Sequence, residues 1–365
     1  MAAQASRSES ELRPIRVYTE GDDLYTAMLA AIRSARHSVK LESYIFADDE
    51  IGRQFIAALR ARAQAGVVVQ VNLDAAGSLF WGPRAVQKAL REGGVQMRWF
   101  HRWSWHEPLR YNRRNHRKLL VVDSKIGFLG GYNIHRENSR KVYGEKRWRD
   151  THVRVRGMLA RDLGVLFDAF WSNRRRILPY MGSPETDQLI TNHSRRGRHF
   201  LRALYATKFA AAHKSIHLTT PYFVPDRRTR QGLMQAAERG VEVSLLVPHK
   251  NNERIAQWAA HAYYAGLLAA GVRIHEYLPR MLHAKSLVID DEWCSVGTAN
   301  LDYRSFFLNY ELTLASTERA LVRHLERDFQ VDLRESMRIQ PKRWAAREYW
   351  RRFLESIGWS LRRWL

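Results

Sequence analysis

Two histidines and two lysines recur in this chain at one fixed spacing. His116-x-Lys118-x-x-x-x-Asp123 returns as His283-x-Lys285-x-x-x-x-Asp290. The offset, 283 − 116 = 167, also carries Gly130 onto Gly297 and Asn133 onto Asn300. Two histidines brought to one place supply a nucleophile and a proton donor, which is what splitting a phosphodiester requires. Residues i and i+2 of an extended segment project to one face, so each lysine is expected beside its histidine. Lysine is a poor metal ligand at neutral pH, and no H-x-H or H-E-x-x-H pattern or carboxylate cluster lies nearby. The electrophilic help is therefore assigned to the lysines, and neither a metal nor a cofactor is expected.

Each motif leads into a glycine turn that ends in asparagine, Gly130-Gly131-Tyr132-Asn133 and Gly297-Thr298-Ala299-Asn300. Glycine permits close backbone approach, and an asparagine amide can donate to a phosphate oxygen. Asn133 and Asn300 thus join Lys118 and Lys285 as phosphate-binding candidates. Asp123 and Asp290 complete the motif as candidate catalytic residues. They sit beyond an apolar strand and are expected to hold structure more than to touch substrate.

The elements that must position these residues repeat too. Helical and strand patterns alternate through Leu24–Arg36, Ser38–Phe46, Ile51–Ala65, Val67–Leu73, Pro83–Glu92 and Val95–Phe100. The order returns in a helix over Phe200–Ala212, a strand over Ser215–Tyr222, and further units ending near Gly240, Gly271 and Tyr277. Such alternation predicts an α/β fold of two similar sandwich halves packed around one shared active site. The halves are placed at 14–180 and 198–337, with a polar boundary at Tyr180–Arg198 containing Gly182, Pro184 and Gly197. A basic tail, 341–365, follows.

The chain has 365 residues, 60 Lys+Arg against 37 Asp+Glu, and a formal charge of +23. That excess points to a polyanionic partner, nucleic acid or an anionic membrane. The single cysteine, Cys294, excludes an intrachain disulfide framework and is expected as a small buried residue on a strand. No run of about 18 apolar residues appears, and Met1–Arg13 lacks the apolar core of a signal peptide. The expectation is a cytoplasmic chain that meets a membrane from one side.

Half one carries ten more residues between its last glycine turn and its motif than half two, 22 against 12 from Gly94 to His116 and from Gly271 to His283. This segment, Arg98–Asn115, interleaves tryptophan with arginine, as suits a membrane–water boundary. In the tail, Trp350, Phe353, Leu354, Ile357, Leu361, Trp364 and Leu365 fall at helical spacing, with arginines mostly elsewhere around the helix. That predicts an interfacial amphipathic helix, with docking on the protein's own core as the alternative and Gly358 as a weak point or hinge.

The paired H-x-K-x4-D resembles the phospholipase D superfamily. Within it, Gly297–Ser305, Leu308–Glu311 and Trp148-Arg-Asp-Thr-His152 are similar to bacterial cardiolipin synthases of the form without N-terminal membrane spans. The resemblance covers residues 14 to 337. It implies a phosphatidyltransferase in which one histidine becomes phosphatidylated while the other exchanges protons with the alcohols, and it favours His116 as nucleophile. It also implies that carboxylates orient the histidines, Asp150 for His116 and Glu311 for His283. Arg304 and Ser305 are left to brace the site or to contact a headgroup. The implied reaction joins two phosphatidylglycerols into cardiolipin and glycerol. The implied setting is peripheral, on the cytoplasmic face of a bacterial inner membrane, with anionic phospholipid as partner and no nucleic acid expected. A hydrolytic phospholipase D or a synthase with another alcohol or donor is the near alternative. A nuclease or a non-catalytic membrane-binding protein is more distant.

Overall fold

The computed structural model describes residues 14–106, 111–173, 178–183 and 185–361, with the side chains of Arg351 and Arg352 left aside. In half one the strands are β1 (Ile15–Tyr18), β2 (Ser38–Ser43), β3 (Val68–Asp74), β4 (Gln96–Phe100), β5 (Leu119–Val122), β6 (Ile126–Gly130) and β7 (His152–Arg156). They form one sheet in the order β1-β7-β6-β5-β2-β3-β4. Helices α1 (Gly21–Arg33), α2 (Glu50–Gln64) and α3 (Pro83–Glu92) belong to this half, as do the short α4 (Arg140–Tyr143) and α5 (Met158–Trp171).

Half two supplies β8 (Tyr180–Gly182), β9 (Asp187–Thr191), β10 (Ser215–Thr219), β11 (Phe223–Val224), β12 (Glu242–Pro248), β13 (Arg273–Tyr277), β14 (Ser286–Ile289), β15 (Trp293–Gly297), β16 (Leu301–Asp302), β17 (Leu312–Ser316) and β18 (Ser336–Arg338). Its large sheet runs β18-β13-β12-β10-β14-β15-β17-β9-β8, and β11 pairs with β16 separately. The helices are α6 (Arg195–Ala211), α7 (Arg227–Glu238), α8 (Arg254–Ala269), α9 (Tyr303–Phe307), α10 (Arg319–Arg334), α11 (Pro341–Ala345) and α12 (Tyr349–Leu361).

Reading β9-β17-β15-β14-β10-β12-β13 against β1-β7-β6-β5-β2-β3-β4 matches all seven strands of the first sheet. In both halves a central parallel pair (β2–β3, β10–β12) joins an antiparallel one (β2–β5, β10–β14). The central strands read as near-continuous apolar runs because both faces are covered. One core lies within half one, built from residues such as Leu24, Phe55 and Val71, and a second within half two around Phe209, Leu245 and Tyr264. A third cluster draws from both halves, with Leu119, Val153 and Leu163 beside Val288, Cys294 and Leu325. The halves are thus held together by shared apolar burial, and Cys294 is a buried strand residue as expected.

Two expectations need correction. The stretch from Tyr180 to Arg198, read as the boundary between the halves, already belongs to half two: β8 and β9 extend the second sheet, and α6 begins at Arg195. Asp187 opens β9, next to the edge strand β8, and accepts from Ser316 Oγ of β17 at 2.5 Å. The tail also docks on the protein: α12 lies along α8, and within the tail Arg347 pairs with Glu355 at 2.6 Å. Gly358 is a close-contact point and not a hinge, since a Cβ there would lie 2.5 Å from the backbone nitrogen of Ala259. The outward aromatic residues of the tail, Tyr349, Trp350 and Phe353, remain exposed. Residues 362–365 lie outside the described set.

Candidate active site

Each motif enters its strand from an extended segment that first crosses to the other half. Asn115 forms a one-residue bridge with Tyr310, and Leu282 forms one with Arg149. The two bridges are related by the repeat, with 282 − 115 = 167 and 310 − 149 = 161. His116 N–H then donates to Tyr310 O at 3.0 Å, and His283 N–H to Arg149 O at 2.7 Å. The residue after each bridge is a histidine on one strand and a carboxylate on the other, so the next side chains meet across the halves.

The pairing inferred from resemblance is therefore exchanged. His116 Nδ1 faces Glu311, with its two oxygens at 3.1 and 3.0 Å. His283 Nδ1 faces Asp150 Oδ2 at 2.5 Å. Asp150 serves His283 and Glu311 serves His116, because the carboxylates are delivered by β-bridges between halves. A carboxylate on Nδ1 fixes the N–H there and leaves Nε2 for chemistry. Lys285 Nζ also approaches His283 Nδ1, at 2.8 Å. An ammonium and a ring N–H cannot donate to one another, so the carboxylate decides the tautomer and Lys285 is held by its other contacts. Those are the His283 carbonyl and, at 3.8 Å, Asp150.

Lys118 Nζ donates to His116 O at 2.8 Å. All four basic side chains are buried. Burial pushes both histidines below the usual imidazole value, His283 to about 3, although each faces a carboxylate that pulls the other way. Burial also lowers Lys285, to about 8, against the pull of Asp150 and Glu311. It also holds Lys118 well below the usual lysine value, with Lys285 adding to the effect. Burial raises the carboxyls of Asp150 and Glu311, but the cations and hydrogen bonds outweigh it and hold both below the carboxylate range. The result is a buried site in which two lysines flank two oriented imidazoles held toward neutrality, electrostatically suited to a phosphodiester anion.

The support around the carboxylates is unequal. Glu311 accepts from Thr298 Oγ1 at 2.5 Å and from Ser305 Oγ at 2.8 Å. Its backbone N–H reaches Asn192 Oδ1 at 2.6 Å. Asp150 accepts from Thr151 N at 2.7 Å. Ser305 thus braces the site, as one of its two readings anticipated. Arg304 instead holds Asn112 of the half-one insertion through Oδ1 at 3.0 Å and O at 2.8 Å. Sequence reading missed Thr298, which sits inside a recognised motif, and Asn192, which no local pattern marks. It also missed the rings on the histidines: Tyr44 lies 5.0 Å from the His116 ring and Trp148 lies 5.1 Å from the His283 ring.

Asn133 Oδ1 accepts from Ile45 N at 3.0 Å, an arrangement that leaves the amide nitrogen as its donor end. Asn300 is held differently. Its backbone N–H reaches Ser305 Oγ at 3.1 Å, and its buried Oδ1 has no hydrogen-bond partner among the described residues. Asp123 and Asp290 lie at the far ends of their strands. Asp123 accepts from the backbone N–H groups of Arg36, His37 and Ser38, and Asp290 from those of His213, Lys214 and Ser215. They clamp the start of β2 and of β10, so their place in the candidate catalytic set is corrected to a structural one.

The insertion is anchored and exposed at once. Arg114 pairs with buried Asp74 at 3.1 Å, while Trp103 and Trp105 are 52% and 84% exposed. Residues 107–110 of this segment fall outside the described set.

Comparison with known proteins gives the family and the fold. A family model described as cardiolipin synthase, PLD-like domain, matches residues 28–145 and again 205–333. Cardiolipin synthase 2 of Bacillus anthracis is 35% identical over 361 residues, spanning 93% of this chain and 68% of its own. Cardiolipin synthase of Clostridium perfringens is 33% identical over 358 residues, 94% of this chain and 75% of its own. Among solved structures, phosphatidylserine synthase of Haemophilus influenzae superposes with a TM-score of 0.70 at 14% identity, covering 96% of this chain and 95% of its own. Polyphosphate kinase of Porphyromonas gingivalis gives 0.65 at 15%, over 95% of this chain and 53% of its own. These last two share the fold.

Proposed function

The chain belongs to the cardiolipin synthase family of phospholipase D-like enzymes, and on that premise we propose that it condenses two phosphatidylglycerols into cardiolipin and glycerol. The observation that carries the proposal is the pair of buried imidazoles, each with a carboxylate from the opposite half on Nδ1. His116 Nε2 attacks the phosphorus of the first lipid. The P–O bond to the glycerol headgroup breaks, and His283 Nε2–H gives its proton to the departing oxygen. The terminal hydroxyl of the second lipid then loses its proton to His283 and attacks phosphorus opposite the P–N bond. That bond breaks and frees His116.

His283 must carry a proton in the first step, although burial holds it neutral in the empty site. The arriving phosphodiester anion offsets Lys285 and raises the proton affinity of the ring. Lys118, Lys285 and the amide of Asn133 stabilise the equatorial oxygens. Burial of both histidines keeps competing water scarce, which favours transfer over hydrolysis.

The charge of +23 and the exposed Trp103, Trp105, Trp350 and Phe353 support a peripheral seat on an anionic membrane, with the cytoplasmic face of the bacterial inner membrane as the proposed location. Among the described residues, no helix is long and apolar enough to cross a membrane. The test is incubation of purified protein with phosphatidylglycerol vesicles, followed by mass spectrometry of the lipids. Cardiolipin with stoichiometric glycerol is expected. Phosphatidic acid without cardiolipin would indicate a hydrolase, and DNA cleavage without lipid turnover would overturn the lipid reading. His116→Ala should abolish the phosphatidyl-enzyme. Survival of that intermediate, with its loss in His283→Ala, would reverse the two roles.

A further inference from the structure

A groove of about 540 Å³ opens where the two short strands beside the site end. β11 begins one residue after Tyr222, whose ring lies 6.2 Å from that of His283, and β16 begins one residue after Asn300. Val224 and Tyr303, at and just beyond the ends of these strands, line the groove. Four arginines line it too: Arg202, Arg227, Arg228 and Arg230. The acid among its lining residues, Asp226, is already engaged by Arg202 at 2.6 Å and by Thr229 N at 2.9 Å. Arg202 lies over Phe307 at 4.4 Å and Arg230 over Tyr263 at 5.7 Å. Arg227 and Arg228 are exposed and make no ion pair among the described residues. Trp359 of the docked tail closes one side.

Building on the reaction above, we propose that this groove is the acceptor-lipid subsite: its arginines hold the phosphate of the second phospholipid while that lipid's hydroxyl enters the site. With His116 bonded to phosphorus, in-line attack must come from the opposite face, where His283 waits for the proton. The acceptor therefore approaches from the half-two side, where β11 and β16 lead from Tyr222 and Asn300 beside the site to Val224 and Tyr303 on the wall of the groove. An acceptor that is itself a phospholipid brings a second anion, which the lysines around the reacting phosphate are not free to neutralise. The groove supplies guanidinium groups for that phosphate and aromatic walls for the adjoining glycerol and chain. The attack makes one P–O bond, breaks the P–N bond and leaves the hydroxyl proton on His283, so no further reactant is required.

The experiment compares the wild type with Arg227→Glu/Arg228→Glu and Arg227→Lys/Arg228→Lys on phosphatidylglycerol vesicles. Three readouts are followed: the phosphatidyl-enzyme burst, cardiolipin formation, and transfer to ethanol as an uncharged acceptor. Vesicle co-sedimentation runs alongside. The charge-reversed protein should lose cardiolipin formation by about tenfold or more, two cations being removed and two anions placed against the phosphate. Its burst and its transfer to ethanol should stay within about twofold, and the lysine variant should recover most of the cardiolipin. A parallel loss of cardiolipin and ethanol product would overturn the subsite, because the groove would then serve the donor or general membrane binding. Unchanged cardiolipin formation would overturn it as well. A wild type with neither a burst nor an ethanol product would instead sink the transfer reaction, and the subsite with it.

Discussion

His283 Nδ1 lies 2.5 Å from Asp150 Oδ2, a residue 133 positions earlier in the other half, and His116 is matched by Glu311 195 positions later. Neither half therefore holds a complete oriented histidine. The exchange predicts which step each carboxylate serves. Asp150→Asn should impair proton exchange with the alcohols through His283, while Glu311→Gln should impair attack by His116. Each should lower kcat by on the order of 10²–10⁴ with the protein still folded, since a lost carboxylate releases tautomer and ring orientation together. Rapid-quench trapping of the phosphatidyl-enzyme separates them. Glu311→Gln should slow chiefly its appearance, and Asp150→Asn should slow both its appearance, through protonation of the departing glycerol, and its consumption by alcohol. The opposite pattern would mean that the histidine roles are reversed.

Lys285 sets an alkaline limit on the reaction. Burial lowers its ammonium to about 8, while Asp150 and Glu311 resist the fall. Below that pH it is cationic and can bind the equatorial oxygens, and above it the charge is lost. The profile of kcat/KM, which reports the free enzyme, should therefore fall as pH rises through about 8. Activity at saturating lipid should hold to higher pH, because the bound anion favours the ammonium. Profiles for the two parameters that coincide would count against this assignment.

Asp123 and Asp290 should matter to stability and little to chemistry. Burial raises each carboxyl, but three backbone N–H donors outweigh it and hold the folded-state pKa below the usual carboxylate value. A depressed carboxyl contributes stability that is present above the unfolded value, about 4, and is lost as pH falls through the folded one. Asp123→Asn and Asp290→Asn should each cost about 1–2 kcal/mol at neutral pH, read by urea denaturation, and the difference from wild type should shrink under acid. The folded fraction of each should turn over lipid at nearly the wild-type rate. A thousandfold loss of kcat at unchanged stability would return them to the chemistry.

The same contrast shows what the sequence could and could not reveal. The 167-residue offset identified equivalent positions, and β5/β14 and β6/β15 obey it to the residue. Equivalence, however, does not say which half a carboxylate faces. That depends on the bridges Asn115–Tyr310 and Arg149–Leu282, which join segments far apart in the chain. The central strands were readable because both faces are apolar. β7, His-Val-Arg-Val-Arg, and β9, Asp-Gln-Leu-Ile-Thr, were not, since they carry polar residues such as His152, Arg154 and Gln188 into buried positions that the sequence pattern reads as surface. Asn192 illustrates the point: its side chain ties the carbonyls of Ser305 and Asn309 and the N–H of Glu311 together, and nothing beside it in sequence marks it.

The tail docks on α8 and still exposes an aromatic ridge, so the alternatives its periodicity presented are not exclusive. Leu354 and Ile357 are half-buried, and Gly358 presses on the backbone at Trp258 and Ala259 of α8, while Phe353 stays 67% exposed. These faces can be tested separately. Gly358→Leu should pry α12 from α8, because backbone atoms 2.5 and 2.8 Å from the new Cβ cannot move aside as a side chain would. Limited proteolysis should then cut within the tail, and the melting temperature should fall by a few degrees. Tyr349→Ala/Trp350→Ala/Phe353→Ala should leave the melting temperature within about a degree, since these side chains bury little surface on folding. It should nevertheless weaken co-sedimentation with phosphatidylglycerol vesicles by about tenfold, through lost apolar insertion. Unchanged sedimentation in the triple variant would assign the exposed ridge no part in membrane binding, and it would leave the Trp103–Trp105 loop and the basic surface to provide it.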